Sequence, residues 1–518
     1  MTCPDLNPIK AAFNSKDTVK SLGKVHFIGI GGAGMSVLAE MLHEDGVSVS
    51  GCDREANDHT ERLTQLGIEV KIGQNASHVD GKNILVYSSA IKATNPEIIA
   101  AAESGVKLVH RSDILALLLA SKRGVTVAGA HGKTTTSSLL SHILTVAGTK
   151  DLADPSYAIG GSLQGSDGSV IDGGHAGSGS VMVAEADESD GSFEKYHPSI
   201  AIITNAEADH LDHYGNAENY RAAFVKHAGN AENAVIICAD DAGARLVLEA
   251  LSDETLEKTI AYGNSQTWNT EVSERVRSKA MFASIEHESE QAGSGREEYK
   301  LVLPENMSAY YGVSIANRSL DVSLMIPGLH NARNASAAIL AAILLGMKAE
   351  DAARGAEDFR GASRRFDIRG CVNGVTVVDD YAHHPTEIEA LLKAARRRYP
   401  SAKLRVLFQP HLFSRTLSFK QEFAEALSLA DDVIVSSIFP AREKQEDFPQ
   451  VHASTIVEIA ADSGFKTPMQ AVEDMREAAL LLCKRAEPGD VLMTVGAGSI
   501  TAMTSVMLEA LNCENESR

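Results

Sequence analysis

The sequence predicts an α/β protein with largely parallel sheets, divided into about three domains. Short β-branched runs alternate with helical patterns along the chain, notably at residues 25–28, 124–128, 181–183, 200–203, 375–378 and 406–408. This alternation favours strands joined by helices. The length of 518 residues exceeds what one hydrophobic core usually serves. Ligands of such sheets lie at the carboxyl ends of strands, so polar residues directly after each run are the first candidates for a site.

Glycine-rich turns and strand positions divide the chain into predicted domains at 1–122, 123–361 and 362–518. Two further stretches, 160–180 and 286–298, are rich in Gly, Ser, Asp or other charged residues. Because they contain too few apolar side chains to pack, we expect both to be mobile insertions.

The first predicted strand runs into a glycine turn that opens a helix. Gly29, Gly31 and Gly34 satisfy the spacing G-x-G-x-x-G, and Asp53 stands about where a ribose hydroxyl partner is expected. Such a turn holds a diphosphate at a helix N-terminus, and either a dinucleotide such as NAD or a UDP-sugar supplies one. Glycines that serve only strand–helix packing are the plainer alternative.

A second strand leads into the sequence Gly129-Ala-His-Gly-Lys-Thr-Thr135, followed by apolar residues at helical spacing. Backbone amides of such a loop can bind phosphates, the Lys133 ammonium can reach the β- and γ-phosphates, and the Thr134 hydroxyl can bind Mg²⁺. Only two residues separate Gly129 from Gly132, where the common motif has four. Because the N-terminus of a helix favours anions, a lysine there is hard to explain by packing and indicates that the loop binds a nucleoside triphosphate.

Acidic side chains follow the next two strands. Residues 185–190 contain four carboxylates, and residues 204–213 add further acids and His210. Such crowding is repulsive without cations, and an acid after a strand in a nucleotide-binding domain commonly holds Mg²⁺. A solvated charged loop and a zinc site are the alternatives. If the two strands are neighbours, both strand ends converge at one edge of the sheet.

Composition excludes several classes of protein. The formal net charge of −21 argues against nucleic-acid binding, which needs a basic face. The six cysteines show no C-x-x-C spacing, which indicates a reducing cytoplasm and neither a disulfide framework nor a cysteine zinc site. We find no apolar run long enough to span a membrane. The expected protein is cytoplasmic and interacts with neither nucleic acid nor membrane.

Taken together, the motifs resemble those of the Mur ligase family, in the family's order. They are the two glycine turns, Glu185–Phe193, Asn205–His210, Pro327–Ala335, Ser363–Phe366 and Asp379–Glu387. The resemblance spans about residues 24–500. Within the family, residues 29–35, 379–387 and 408–411 most resemble the member that adds L-alanine.

This resemblance implies three α/β domains: an N-terminal Rossmann-like UDP-binding domain, a central P-loop ATPase-like domain and a C-terminal Rossmann-like domain that closes over the nucleotide. It implies an ATP-dependent ligase of peptidoglycan precursor synthesis that joins L-alanine to the lactyl carboxylate of UDP-N-acetylmuramate through an acyl phosphate. The implied cofactors are ATP and Mg²⁺, with Mn²⁺ as a substitute, and the expected state is a monomer or weak homodimer.

The resemblance also implies residue roles. The catalytic residues would be Lys133, Glu185, His210, Arg365 and Asp380, with Thr134, Glu185 and His210 as metal ligands. The ATP-binding residues would be Gly129, Ala130, His131, Gly132, Lys133, Thr134, Thr135, His330, Asn331 and Asn334. The UDP-sugar would be bound by Gly29, Gly31, Gly32, Gly34, Asp53 and Ser89. His383 and His384 are either a packed, hydrogen-bonded pair or contacts to amino acid or phosphate.

The sequence departs from the family's pattern at two motif positions, and its Gly/Ser-rich insertion before Val181 is longer than expected for the family. Ala130 stands where the family usually has Thr, and Leu412-Phe413 replaces the usual Arg-Tyr. Three other functions stay open: a ligase that re-attaches a salvaged peptide, an NAD-dependent oxidoreductase, and a nucleotide-sensing binding protein. Hydride transfer needs neither the loop around Lys133 nor the carboxylates, which argues against the oxidoreductase.

Overall fold

The computed structural model of the chain describes residues 4, 6–14, 16–161, 163–164, 170–171, 173–287, 296–441 and 443–513. These residues divide into two compact units. The first contains the described chain up to residue 287 together with 299–323 and 332–359, and the second contains 296–298, 324–331 and 360–513. Each unit is described by itself below. Among the described residues, no helix combines the length and the apolar character needed to cross a membrane.

The first unit begins with a five-stranded parallel sheet. Its strands are β1 (Lys24–Ile28), β2 (Ser48–Asp53), β3 (Glu69–Ile72), β4 (Ile84–Tyr87) and β5 (Lys107–His110). The accompanying helices are α1 (Ala33–Glu44), α2 (Asp58–Gln65), α3 (Pro96–Ser104) and α4 (Arg111–Ala120). The strand order β3-β2-β1-β4-β5 places the switch point between β1 and β4, beside the first glycine turn. This is the Rossmann-like arrangement that the sequence predicts.

The second sheet of this unit is larger and carries the lysine loop. It contains β6 (Arg123–Ala128), β7 (Ser156–Ala158), β10 (Gly174–His175), β11 (Val181–Glu185), β12 (Ile200–Ile203), β13 (Ala234–Cys238), β14 (Thr259–Gly263), β15 (Met281–Glu286), β16 (Glu297–Val302) and β17 (Ser319–Leu324), while β8 (Leu163–Gln164) and β9 (Val170–Ile171) form a separate antiparallel pair. Its order is β10-β7-β11-β6-β12-β13-β14-β15-β16-β17. The strands from β7 to β15 in that order are parallel.

The helices associated with the second sheet follow the α/β alternation. They are α5 (Lys133–Ala147), α6 (Leu211–Tyr214), α7 (Ala217–Gly229), α8 (Ala242–Ala250), α9 (Asp253–Glu257), α10 (Ser265–Glu271), α11 (Glu274–Lys279), α12 (Met307–Tyr311), α13 (Leu329–Leu344) and α14 (Ala349–Ala356). Strands β12 and β13 consist almost wholly of buried Ala, Val and Ile, as expected for parallel strands covered on both faces.

The second unit contains a six-stranded sheet in the order β18-β19-β23-β20-β21-β22, in which only the edge strand β18 is antiparallel. Its elements are β18 (Asp367–Val372), β19 (Val375–Asp380), α15 (Pro385–Arg398), β20 (Leu404–Phe408), α16 (Phe413–Ser418), α17 (Lys420–Leu427), β21 (Asp432–Val435), α18 (Ser454–Asp462), β22 (Met469–Ala471), α19 (Met475–Arg485), β23 (Val491–Val495) and α20 (Met503–Cys513). All six strands predicted from the sequence are present in the three sheets.

One prediction about the insertions is wrong in part. Residues 162, 165–169, 172 and 288–295 lie outside the described residues, so mobility of these stretches stays a prediction there. Residues 173–180, however, pack against the sheet: Gly174 is buried beside Val37, and β10 pairs with β7. Glycines can approach other backbone closely and use main-chain hydrogen bonds, so this segment packs without apolar side chains.

Candidate active site

The centre of the site is the carboxyl end of β6. Strands β11 and β12 lie on either side of β6, so they are not neighbours of each other. Because all three strands are parallel, the acidic segment after β11 and the segment after β12 still end at the same edge, flanking the lysine loop. The predicted convergence therefore holds, with β6 between the two strands.

Two glycines allow the chain to turn from β6 into α5. Gly129 has φ 145° and Gly132 has φ 81°, backbone conformations that L side chains rarely adopt. A Cβ on Gly129 would lie 2.1 Å from Thr204 Oγ1, and one on Gly132 would lie 2.7 Å from Asn334 Oδ1. Close approach of neighbouring side chains therefore requires glycine at both positions, and Asn334 is placed against the loop.

Lys133 is the first residue of α5 and points into this edge. Its Nζ donates to Gly129 O at 2.6 Å and to the two carboxylate oxygens of Glu188 at 3.1 and 2.9 Å. The Ala130 carbonyl lies 3.4 Å away. Lys133 thus brings the loop and the acidic segment together at the start of a helix, where free backbone N–H groups attract anions.

Negative charge exceeds positive charge around this lysine. Glu188 is only 1% exposed. Burial raises its pKa and Asp187 adds to the effect, while Lys133 only partly offsets it. Burial would lower the pKa of Lys133, but Glu188 and Asp187 outweigh it and hold that pKa above its usual value. The raised pKa of Glu188 thus reflects chiefly its burial, whereas the raised pKa of Lys133 reflects the carboxylates around it.

Asp187 has a second cationic partner. Arg111 Nη2 donates to Asp187 Oδ2 at 2.7 Å. Burial would raise the pKa of Asp187, but Arg111 and Lys133 hold it well below its usual range. Asp187 is therefore ionised at neutral pH and adds to the charge at this edge.

His210 lies next to the same carboxylate. Its Nε2 is 3.7 Å from Glu188 Oε1 and 3.8 Å from Asp209 Oδ2. The residue has φ 51°, a left-handed conformation that is uncommon for non-glycine residues, although histidine adopts it more often than most. His210, a predicted metal ligand, and Lys133 therefore both lie next to the carboxylate of Glu188.

The other two predicted metal ligands, Glu185 and Thr134, lie next to the adjacent residues Gly160 and Gly161, respectively. The amide of Gly160 donates to Glu185 Oε1 at 3.1 Å, and a Cβ on Gly161 would lie 3.3 Å from Thr134 Cγ2. Thr135, the next loop residue, is buried. The residues after β11 and the start of α5 thus share one neighbourhood.

The segment after β12 holds the loop from the other side. His131 N donates to Asn205 Oδ1 at 3.1 Å, while Thr204 Oγ and Asn205 Nδ2 donate to His131 O at 2.6 and 2.7 Å. The His131 Nε2 lies 3.2 Å from Glu207 Oε2. These bonds fix the backbone of the loop before α5 begins.

The first glycine turn is organised by Asp53. Gly29 has φ 73°, Gly32 precedes α1, and Gly31 N donates to Asp53 Oδ2 at 2.8 Å. The predicted ribose partner therefore uses one carboxylate oxygen to hold the turn itself. Gly34 lies next to Arg111, since a Cβ there would be 3.3 Å from Arg111 Nη1.

Ser89 links the first sheet to the acidic segment. Its Oγ donates to Asp190 Oδ2 at 2.5 Å and lies 3.0 Å from His110 Nε2. Ser89, Arg111 and the residues after β11 therefore form a continuous polar connection between the two sheets of the first unit.

In the second unit, Asp380 lies at the end of β19. It accepts hydrogen bonds from Phe366 N at 2.7 Å and Ala382 N at 2.8 Å. Burial raises its pKa to about 6, against the influence of Arg365. Arg365 lies 3.5 Å from Glu387 Oε1, and its guanidinium stacks on Tyr381 with 5.2 Å between the charge centre and the ring centroid.

The two histidines before α15 make local contacts, and contact of either with amino acid or phosphate stays a prediction. His383 N donates to Glu387 Oε2 at 2.9 Å, and His384 caps α15 with its ring 4.9 Å from that of Phe419. His330 and Asn331 open α13, where Asn331 Nδ2 donates to Pro327 O at 2.7 Å. Asn331 and Asn334 lie one turn apart in that helix, as predicted.

Three sequence profiles match this chain. They are described as the Mur ligase family catalytic domain at residues 24–123, the Mur ligase middle domain at 127–342, and the Mur ligase glutamate ligase domain at 364–498. The UDP-N-acetylmuramate–L-alanine ligase of Bifidobacterium adolescentis is 60% identical over 509 residues, which are 98% of this chain and 96% of that protein. The chain belongs to the Mur ligase family. The resemblance noted in the sequence is thereby confirmed.

Other Mur ligases agree in sequence and in structure. A UDP-N-acetylmuramate–L-alanine ligase of Bifidobacterium longum is 58% identical over 99% of this chain and 98% of its own length. The crystal structure of the UDP-N-acetylmuramate-alanine ligase MurC of Thermotoga maritima superposes with a TM-score of 0.72 at 28% identity, covering 96% of this chain and all of that one. The three-domain α/β architecture predicted from the sequence is confirmed, while the individual domain bounds stay predictions.

Sequence reasoning missed two residues of this Mur ligase site. Glu188 was one of four clustered carboxylates, but nothing local distinguished it as the partner of Lys133. Arg111 was not considered for the site, although it is the first residue of the helix after β5. Its contact with Asp187 joins residues 76 positions apart, which no local pattern reports.

Proposed function

We propose that this protein is an ATP-dependent ligase that joins L-alanine to the lactyl carboxylate of UDP-N-acetylmuramate in the synthesis of peptidoglycan precursors. Support comes from its 60% identity, over nearly its whole length, with a relative named for that reaction. The observation that carries the proposal is Lys133, held at the start of α5 between the loop carbonyls and buried Glu188.

The position of Lys133 suits the phosphates of ATP. In the structure its ammonium is paired with the Glu188 carboxylate at 2.9 Å. A β- or γ-phosphate beside the N-terminus of α5 would receive both this ammonium and hydrogen bonds from the backbone amides of the first turn of that helix. We propose that Gly129, Ala130, His131, Gly132, Thr134 and Thr135 bind the phosphates in this way, with Asn334 supporting the loop through Gly132.

The surplus carboxylate charge around Lys133 fits a divalent cation. The carboxylates of Glu185, Asp187 and Glu188 all act on Lys133 and raise its pKa. We propose Thr134 and Glu185 as oxygen ligands of Mg²⁺, with His210 towards a second ion for which Mn²⁺ is also suited. When bound, such an ion neutralises the charge that develops between the β- and γ-phosphates.

The proposed reaction proceeds in two steps. A lactyl carboxylate oxygen attacks the γ-phosphorus, the bond to the ADP oxygen breaks, and an acyl phosphate forms. The amine of alanine then attacks the carbonyl carbon, phosphate leaves with the bonding electron pair, and the amine loses a proton. Lys133 stabilises the charge transferred in the first step, chiefly by position.

The remaining assignments rest on the resemblance and on local contacts. We propose that Gly29, Gly31, Gly32, Gly34, Asp53 and Ser89 bind the UDP-sugar, since the turn lies at the switch point of the first sheet. We propose Arg365 as a phosphate contact and Asp380 as the residue that shapes its loop, and His330 and Asn331 as adenine-side contacts. The bounds 1–122, 123–361 and 362–518 remain our proposed domains.

The cellular setting is also a proposal. Cys52, Cys238 and Cys483 are buried and form no disulfide, which fits a reducing cytoplasm. We propose a monomer or weak homodimer that uses neither nucleic acid nor membrane as a partner.

Phosphate release from ATP tests the function. The purified protein is given UDP-N-acetylmuramate with L-alanine, L-serine, glycine or a cell-wall tripeptide, and product is identified by mass. We expect phosphate release with L-alanine, and we expect no release when UDP-N-acetylmuramate is omitted. Phosphate release that responds to the peptide but not to alanine would contradict the proposal and indicate a ligase that re-attaches a salvaged peptide. Reduction of a nicotinamide cofactor would show that the protein is not a ligase.

A further inference from the structure

A second cluster of reactive side chains lies inside the first sheet, away from the lysine loop. It consists of His26 on β1, Cys52 on β2, His78 in the short 3₁₀ helix Ala76–Val79, and Glu97 on α3. All four residues are buried, and one potential ligand atom from each lies within 4.8 Å of the others. Four separate elements therefore deliver two imidazoles, a thiol and a carboxylate to one point.

The spacing of these atoms suits a tetrahedral ion. His78 Nδ1 is 2.9 Å from Glu97 Oε1, Cys52 Sγ is 3.1 Å from the same oxygen, and His26 Nε2 is 3.3 Å from Glu97 Oε2. With zinc bonds of about 2.0–2.3 Å, the ligands of a tetrahedral site lie about 3.3–3.8 Å apart. Small side-chain rotations would bring the four atoms to those separations.

The charge of the cluster also fits. The thiolate of Cys52 and the carboxylate of Glu97 together carry two negative charges, which balance one divalent cation in a buried site. Because a cysteine binds zinc as the thiolate, the ion would displace the thiol proton of Cys52 on binding, as structural zinc does.

His26 shows an orientation typical of a metal ligand. Its Nδ1 lies 3.0 Å from Ser50 Oγ, whose own proton can go to Val25 O at 3.4 Å. Lys82 Nζ donates to the same Ser50 oxygen at 2.8 Å. With the proton on Nδ1, the lone pair of Nε2 faces Glu97, and this fully enclosed Nε2 has no partner in hydrogen-bond geometry. Such an outer hydrogen bond orients ligating histidines.

We propose that His26, Cys52, His78 and Glu97 form a structural binding site for one tetrahedral divalent transition-metal ion of the zinc class. Asn75 N, which donates to Glu97 Oε1 at 3.0 Å, supports the carboxylate from outside. The site is separate from the proposed ATP and magnesium site and does not depend on the ligase reaction.

The position of the site gives it a mechanical role. The carbonyl of Cys52 accepts hydrogen bonds from Gly29 N at 2.8 Å and Ile30 N at 3.0 Å, and the next residue, Asp53, holds Gly31. An ion bound to Cys52 would therefore stiffen the back of the first glycine turn. It would also join β1, β2 and α3 by bonds that do not depend on apolar packing.

Metal content and cobalt spectroscopy test the proposal. The full chain, without a histidine tag, is produced in medium supplied with Zn²⁺ or Co²⁺ and analysed by elemental mass spectrometry and absorption. We expect one retained equivalent of zinc, and in the cobalt form a near-ultraviolet thiolate-to-cobalt band. Cys52→Ser should lose the band, whereas Cys483→Ser, at a buried cysteine outside the cluster, should keep it.

The opposite results are equally clear. Wild-type protein that retains no zinc and shows no thiolate band would overturn the proposal and leave the cluster a hydrogen-bonded network. A band that persists in folded Cys52→Ser would do the same, because the thiolate would lie elsewhere. Should Cys52→Ser fail to fold, His26→Gln provides the second test, with loss of retained zinc expected and unchanged zinc content contradicting the site.

Discussion

At the scale of single residues, the main feature of the site is Lys133, which is surrounded by several carboxylates. Both carboxylate oxygens of Glu188 accept hydrogen bonds from Lys133, and Asp187 accepts one from Arg111. Burial and Asp187 raise the pKa of Glu188 despite Lys133, and Glu188 and Asp187 in turn raise the pKa of Lys133. A site of this kind gains stability when a cation enters, which suits transfer of a phosphoryl group.

Removing the lysine should separate nucleotide chemistry from sugar binding. We expect Lys133→Ala to lower turnover by about 10³-fold or more, because the charge that offsets the transferred phosphoryl group is lost. UDP-N-acetylmuramate affinity, measured by calorimetry, should change little, since its proposed site lies on the other sheet. Lys226→Ala removes a largely exposed lysine and is the matched control. Equal loss of turnover and sugar binding in Lys133→Ala would refute separate sites.

Asp380 makes stability depend on pH. Burial raises its pKa from 3.8 to about 6, so between these values the folded chain keeps a proton that the unfolded chain has released. The contribution of Asp380 to the free energy of unfolding is therefore fully present below about pH 4. It is lost as the pH rises through about 6, and the total loss is at most about 3 kcal/mol.

The variant Asp380→Asn tests this pH dependence. The difference between the Tm of the variant and that of the wild type should increase as the pH rises from about 4.5 to about 7.5. Loss of the backbone hydrogen bonds to Asp380 would shift this difference by a constant amount and would not change its dependence on pH. A difference in Tm that stays constant over this range would show that the Asp380 proton is not linked to folding.

At the scale of elements, the lysine loop is shaped by its neighbours as much as by its own sequence. Gly129 is closed in by Thr204 after β12, and Gly132 by Asn334 on α13. Left-handed His210 precedes α6 and reaches the same edge. The loop is therefore pre-shaped before a nucleotide binds, which reduces the ordering required on binding.

An alanine at Gly132 should disturb binding beyond the effect of backbone strain. Gly105 has φ 74° with no neighbour within 4 Å, whereas Gly132 has φ 81° and would place a Cβ 2.7 Å from Asn334 Oδ1. We expect Gly105→Ala to lower the free energy of unfolding by about 1 kcal/mol and leave ATP affinity unchanged. Gly132→Ala should also weaken ATP binding by about tenfold or more, measured by calorimetry. Equal ATP affinities in the two variants would show that contact with Asn334 does not shape the loop.

At the scale of the whole molecule, polar contacts join the two sheets of the first unit. Arg111 to Asp187, Ser89 to Asp190, and Lys195 to Asp113 all connect α4 or the end of the first sheet with the segment after β11. The proposed sugar site and the lysine loop thus share a polar framework as well as an apolar core.

The two charges of the buried pair Lys195–Asp113 should be coupled more strongly than those of a more exposed pair of similar length. Its side chains are 7% and 3% exposed at 2.7 Å, whereas those of Lys226–Glu194 are 55% and 17% exposed at 2.8 Å. In double-mutant cycles with alanine, followed by urea unfolding, we expect a coupling of about 2 kcal/mol or more for the buried pair and below about 1 kcal/mol for the exposed one. Equal couplings would contradict a structural role for the buried pair.

Local sequence determined much of this protein. Alternating β-branched runs and helical patterns identified six strands, and the glycine turns after β1 and β6 identified both proposed ligand sites, because periodicity and turn chemistry act over a few residues. The family followed from the order of its motifs. These properties need no knowledge of which strand lies beside which.

The tertiary structure alone decided which groups meet. Strand order placed β6 between β11 and β12, selected Glu188 from four carboxylates as the partner of Lys133, and brought Arg111 to Asp187. It packed residues 173–180 by backbone contact where low apolar content predicted mobility, and it gathered His26, Cys52, His78 and Glu97 from four elements. Such pairings depend on contacts between distant segments, and no local pattern of residues encodes them.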